Sequence, residues 1–104
     1  MVKNIMAHFK KFDVADHLND AETIAAYLTE AFESNDAAII ARSIGTVARS
    51  TGMASVADSA GVSRESLYKS LNGQSKPEFD TVRKVLAALG VKLVVEPIQD
   101  TTAA

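Results

Sequence analysis

Residues 61–76 read GVSRESLYKSLNGQSK, and no other stretch concentrates as many side chains able to grip an anion or a base edge. A helix beginning after Ser63 would turn Leu67 and Leu71, four residues apart, toward a core. Ser63, Arg64, Glu65, Tyr68 and Lys69 would then point outward, with Asn72 at the end. A helix N-terminus beside a hydroxyl and an arginine is a phosphate-binding end. Arg64 and Lys69 can donate to guanine edges in a major groove, and Glu65 can accept from cytosine or orient Arg64. Tyr68 can stack or bond to phosphate. The following NGQSK offers backbone N–H groups and the side chains of Gln74, Ser75 and Lys76, which can hold a DNA backbone without reading its sequence. The chemistry is recognition of a duplex rather than bond-making.

Such a helix works only if something fixes its direction. Counting Met53 as position one of MASVADSAGVSRESLYKSL, Ala57 is fifth, Gly61 ninth, Val62 tenth and Leu67 fifteenth. Ala57 is small where two helices approach most closely. Gly61 can leave the first helix in a left-handed conformation that costs little only for glycine. Val62 plugs the corner, Ser63 is a good N-cap, and Leu67 with Val56 and Ala60 closes the space between the helices. The pattern is that of a helix-turn-helix, although corners of this kind also serve purely structural ends.

The flanking elements read mostly as helix. DAETIAAYLTEAFES sets Ile24, Tyr27, Leu28, Ala31 and Phe32 on one stripe, with Asp20 as N-cap. Asn35 or Asp36 opens a second helix whose apolar face is Ala37, Ile40, Ile44, Val47 and Ala48; Gly52 is expected to close it in a left-handed cap, and Gly45 suggests a close helix contact. Pro77 leads into a last helix with Phe79, Val82, Val85, Leu86 and Leu89 in a stripe and Gly90 at its end. VKLVVEP then alternates Val91, Leu93 and Val95, the pattern of a short strand over residues 91–96. A single strand needs a partner for its backbone, and a second copy of the chain supplies one across a twofold axis. The alternatives are a strand lying unpaired on the helices or an extension of the last helix. The tail, residues 98–104, is expected to be disordered.

Composition narrows the function classes. The 104 residues suit one domain, and the absence of cysteine excludes disulfides, thiolate metal sites and a cysteine nucleophile. His8 and His17 are too far apart to form a ligand pair on one helix turn, and the serines have no evident base. No catalytic residue, metal site, cofactor or small-molecule substrate is read, so an enzyme is not expected. MVKNIMAHFKKF has no secretory pattern and no run is long enough to span a bilayer, which points to a soluble cytoplasmic protein. The net charge of −2 conceals two unlike halves. Residues 12–41 hold no Lys or Arg but include Asp13, Asp16, Asp20, Glu22, Glu30, Glu33 and Asp36. From residue 62 to 92, Arg64, Lys69, Lys76, Arg83, Lys84 and Lys92 outnumber Glu65, Glu78 and Asp80. These can be simply two solvated faces, or a basic half that meets an anion and an acidic half that meets something else.

The helix order and the run GVSRESLYKSLNGQSKPEFDTVRKVLAALGVKL resemble the lambda-repressor-like domains of the Xre/Cro type. More narrowly, FDVADHL, IAAYLTEAFESND, GTVARSTGMASVADSAGVSRESLYKSL and PEFDTVRKVLAALGVKL, spanning most of residues 12–94, are similar to the addiction-module antidote (antitoxin) family. The resemblance implies an all-α, five-helix lambda-repressor-like helix-turn-helix domain over residues 20–97, with Val91, Leu93 and Val95 in the dimer strand. It implies an antitoxin of a type II toxin–antitoxin module that neutralises a RelE-like toxin and represses its own operon as a homodimer on double-stranded DNA. The alternative is a stand-alone Xre-type repressor without a toxin. If a toxin is bound, the acidic segment of residues 1–19 is the expected surface, with Phe12, Val14 and Leu18 as apolar anchors and Asp13 and Asp16 facing basic groups.

Overall fold

The computed structural model describes residues 20–99. They form five α-helices: α1 (Ala21–Glu33), α2 (Ala37–Thr51), α3 (Met53–Ala60), α4 (Arg64–Ser70) and α5 (Phe79–Ala88). The expected N-terminal segment, residues 1–19 with Phe12, Asp13, Val14, Asp16 and Leu18, lies outside the described residues, as do the two histidines and residues 100–104.

Caps define the first two helices. Asp20 accepts from Thr23 N at 2.8 Å and from Thr23 Oγ1 at 3.1 Å. These bonds, the backbone one foremost, hold its carboxyl below the ordinary value. Of the two candidates for the second cap, Asp36 takes the role, accepting from Ala38 N and Ile39 N, while Asn35 makes the turn at φ 56°. Gly52 alone separates α2 from α3. Its φ of 121° and ψ of 108° differ from the expected left-handed cap: with no free residues to spare, the chain enters a region outside the left-handed helical well.

α1 packs on α2, α2 on α3, and α3 on both α4 and α5, which makes α3 the hub. One buried cluster runs through all five helices, from Ile24 and Leu28 through Ile44, Val47, Ala48, Val56 and Leu67 to Leu71, Val85, Leu86 and Leu89. Tyr27 and Phe32 pack at its edge. Two expected core residues are exposed instead. Ala37 is exposed in the first turn of α2, and Phe79 is 70% exposed because the first turn of α5 overhangs the core that Val85 and Leu86 enter. On that turn Asp80 binds Arg83 at 2.8 Å and Lys84 at 3.1 Å, and the Arg83 hydrogen bond holds its carboxyl below the ordinary value.

The expected strand differs. Residues 91–99 contain no helix, turn or bend, but among the described residues no strand is formed, since nothing here pairs with this segment. Val91 is half-buried against α5, Leu93 is 39% exposed, and Val95 is 98% exposed.

Gly45 is where α2 meets the end of α4. A Cβ there would stand 2.9 Å from the Leu71 carbonyl oxygen and 3.3 Å from Leu71 Cβ. The first obstacle is backbone and cannot swing aside. Gly45→Ala is therefore expected to lower the thermal midpoint, overpacking of about 1–3 kcal/mol outweighing a helix-propensity gain of about 1 kcal/mol. A raised midpoint in thermal denaturation would show that the contact yields.

Candidate nucleic-acid interface

The corner between α3 and α4 is a three-residue turn, Gly61 to Ser63. Gly61 sits at φ 73°, ψ 30°, in the left-handed well. Its N–H donates to the Asp58 carbonyl at 3.2 Å, and the Val62 N–H reaches back to the Ala57 carbonyl at 3.0 Å. These two bonds make a Schellman motif, which satisfies carbonyls that the end of α3 would otherwise leave open. A Cβ on Gly61 would meet nothing within 4 Å, so glycine is required there by backbone conformation rather than by crowding.

Ser63, extended at φ −74° and ψ 152°, then accepts from Ser66 N at 3.0 Å and starts α4. Leu67 and Leu71 are 0% and 2% exposed, which locks the rotation of this short helix. Its polar side is consequently turned out: Ser63, Arg64, Glu65, Tyr68 and Lys69 are all exposed, and so is Asn72 just beyond. Ala57 is buried beneath the turn and Val62 is half-buried over it. Glu65 in the first turn and Lys69 in the last both suit the helix dipole. The Arg64 guanidinium carbon lies 5.8 Å from the Tyr68 ring centroid, within cation–π range, so these two side chains form a joined, amphipathic edge.

The loop after α4 differs in one respect from expectation. The Gln74 and Ser75 N–H groups do not face outward for a ligand; both donate to Asn72 Oδ1, at 2.7 and 3.2 Å. An Asx turn is the local solution for a chain that must reverse immediately after a helix, with Gly73 at φ 84°. What remains exposed there are the side chains of Gln74, Ser75 and Lys76.

Arg64 and Tyr68 also line an open hollow with Arg49, Gly52, Met53, Ala54 and Ser55. Arg49 belongs to α2 and is not among the residues that the sequence pattern singles out. Its only sequence signal is the seven-residue spacing from Arg42, which places both on one side of a helix.

Similarity to known proteins is a separate observation. Residues 8–97 match the model of a family described as "Probable addiction module antidote protein". An uncharacterized protein of Haemophilus influenzae is 42% identical over 87 residues, covering 84% of this chain and 90% of the relative. No solved structure matches the chain. No helix among the described residues is long and apolar enough to cross a membrane.

The N-cap at Ser63 supplies a direct test of how α4 is held. Ser63→Ala is expected to cost about 1 kcal/mol in denaturant unfolding, and Ser63→Asp, which can cap as well, to restore most of it. Equal stability of all three proteins would mean that the cap bond contributes nothing.

Proposed function

The chain belongs to the addiction-module antidote family, and on that premise we propose that it is the antitoxin of a type II toxin–antitoxin module. It binds and neutralises a RelE-like toxin and represses its own operon by sequence-specific binding to double-stranded DNA. α3 and α4 act as a lambda-repressor-like helix-turn-helix, with α4 entering the major groove.

One observation carries the DNA half of this reading. A seven-residue helix with two leucines buried holds Arg64, Glu65, Tyr68 and Lys69 clear of its own domain, behind a turn that only glycine adopts without strain. Arg64 and Lys69 suit guanine edges; Tyr68, stacked by Arg64, suits a phosphate or a base face; Ser63, Asn72, Gln74, Ser75 and Lys76 flank them as backbone contacts. The protein acts by binding, in the cytoplasm, with no cofactor.

The protein works as a homodimer. Support comes from residues 92–99, which make no backbone hydrogen bond to another described residue while Val94, Val95 and Ile98 stand 65%, 98% and 90% exposed. Pairing residues 91–96 with the same segment of a second copy would give that stretch of backbone hydrogen-bond partners and set Val94 and Val95 beside their counterparts. A twofold dimer then presents two copies of α4 to half-sites about 34 Å apart, or a multiple of that. The toxin partner follows from the family; the acidic segment of residues 1–19 is its proposed contact.

A gel shift with the duplex upstream of the chain's own gene tests the DNA reading. Arg64→Ala is expected to lower specific affinity by about 1–3 kcal/mol if Arg64 makes a bidentate base contact. An unaltered operator footprint would remove Arg64 from the reading set, and no shift by the natural protein would sink the repressor. Failure to co-purify with the product of the neighbouring reading frame would contradict the antitoxin.

A further inference from the structure

Two arginines of α2, Arg42 and Arg49, stand outside the corner, about 10.5 Å apart along the helix axis. Each lies across a glycine. Arg42 Cγ and Nη1 pass 2.7 Å from the point where Gly73 would carry a Cβ, and Arg49 Nη1 passes 3.4 Å from that point on Gly45. Thr46 sits between them: its Oγ1 accepts from Arg49 Nη2 at 3.5 Å and donates to the Arg42 carbonyl at 3.1 Å. Both side chains lie along one side of a trough; across from them are Tyr27 of α1 with Leu71 and Asn72 just beyond α4 in one hollow, and the first turn of α3 with Arg64 and Tyr68 of α4 in the other. At one end Arg42 faces Leu71 and Asn72; at the other Arg49 faces Arg64 and Tyr68.

The trough comprises two open hollows of about 530 and 540 Å³ that share Arg49. No carboxylate lines either, although the chain has more acids than bases. Among the described residues the ion pairs belong to Asp80 on α5, so Arg42, Arg49 and Arg64 are all without an acidic neighbour within 4.0 Å. Three guanidinium groups along one concave surface repel one another and concentrate a positive field there. That arrangement suits a polyanion, and forked guanidinium donors suit phosphate oxygens in particular.

We propose that this trough seats the phosphodiester backbone of one DNA strand beside the groove that α4 enters, making α2 a second, sequence-independent DNA contact. The proposal rests on the DNA-binding reading above. Arg42 and Arg49 supply charge and fix register, while the shared edge of Arg64 and Tyr68 joins this contact to the reading helix. An acidic protein surface is the competing occupant; continuity with the α4 ridge favours DNA.

Full-length Arg42→Gln, Arg49→Gln and double variants separate these readings. Each is titrated by fluorescence anisotropy, over a salt series, with the upstream duplex and with a scrambled duplex of equal length. The double variant is expected to show a log affinity against log salt slope shallower by about 1.8, since each phosphate left unneutralised removes about 0.9 from the slope. Both duplexes should weaken by the same factor, leaving the specificity ratio unchanged. Circular dichroism melts confirm folding of each variant. A folded double variant with the natural slope overturns the proposal, as does a weakening confined to the upstream duplex. Natural affinity and slope for both duplexes in the double variant would leave the trough to an acidic protein surface instead. If the natural protein itself binds neither duplex, the DNA reading and this proposal fall together.

Discussion

A single hydrogen bond, from the Val62 N–H back to the Ala57 carbonyl across a left-handed Gly61, sets the direction of everything after α3. Without the reversal at Gly61 the polar side of α4 would have no fixed relation to the core, because Leu67 could not reach Val56 and Ala60. The chain uses the same device again. Gly90, at φ 86°, lets Val91 N–H return to the Leu86 carbonyl at 3.0 Å, and ADSAGV at residues 57–62 is matched by LAALGV at residues 86–91. In each case a glycine followed by valine ends a helix, and the valine is half-buried against the core. One copy aims the helix that carries the exposed cations; the other aims the C-terminal segment with its uncovered valines.

The parts legible in the sequence were those set by local backbone chemistry. Gly61, Ser63, Asp20 and Asp36 act within five residues of themselves, and their roles follow from φ preference and cap geometry. The rotation of α4 was legible too, since two leucines four apart leave few ways to turn a seven-residue helix. Other features depend on neighbours distant in sequence. Arg42 and Arg49 become one wall of a trough only because Gly45 lets the end of α4 approach α2 and Gly73 lets Arg42 lie flat. Phe79 has the spacing of a core residue but stands beyond the point where α5 meets the core. Asn72 is a local case instead: its oxygen accepts from the N–H groups of Gln74 and Ser75, two and three residues on, which leaves its amide nitrogen as the outward donor.

Charge is divided as firmly as the backbone is bent. α1 carries Glu22, Glu30 and Glu33 and no base, while α2 and α4 present Arg42, Arg49, Arg64 and Lys69. A net charge near zero is therefore the sum of two unlike surfaces. A protein that must hold both an anionic duplex and a basic, RNA-cutting partner has reason to keep such surfaces apart, since each would repel the other's ligand. Membership of an antidote family and a cation-rich edge built on a rigid corner are independent facts, and the proposed function is the reading that uses both.

The central claim is that the outward side of α4 meets duplex DNA. Amide nuclear magnetic resonance of the labelled protein, titrated with the duplex upstream of its gene, tests it residue by residue. The account predicts that the largest shifts fall on residues 63–72, while residues 21–33 stay unmoved. Shifts gathered on α1 or on residues 91–99, with α4 silent, would contradict it.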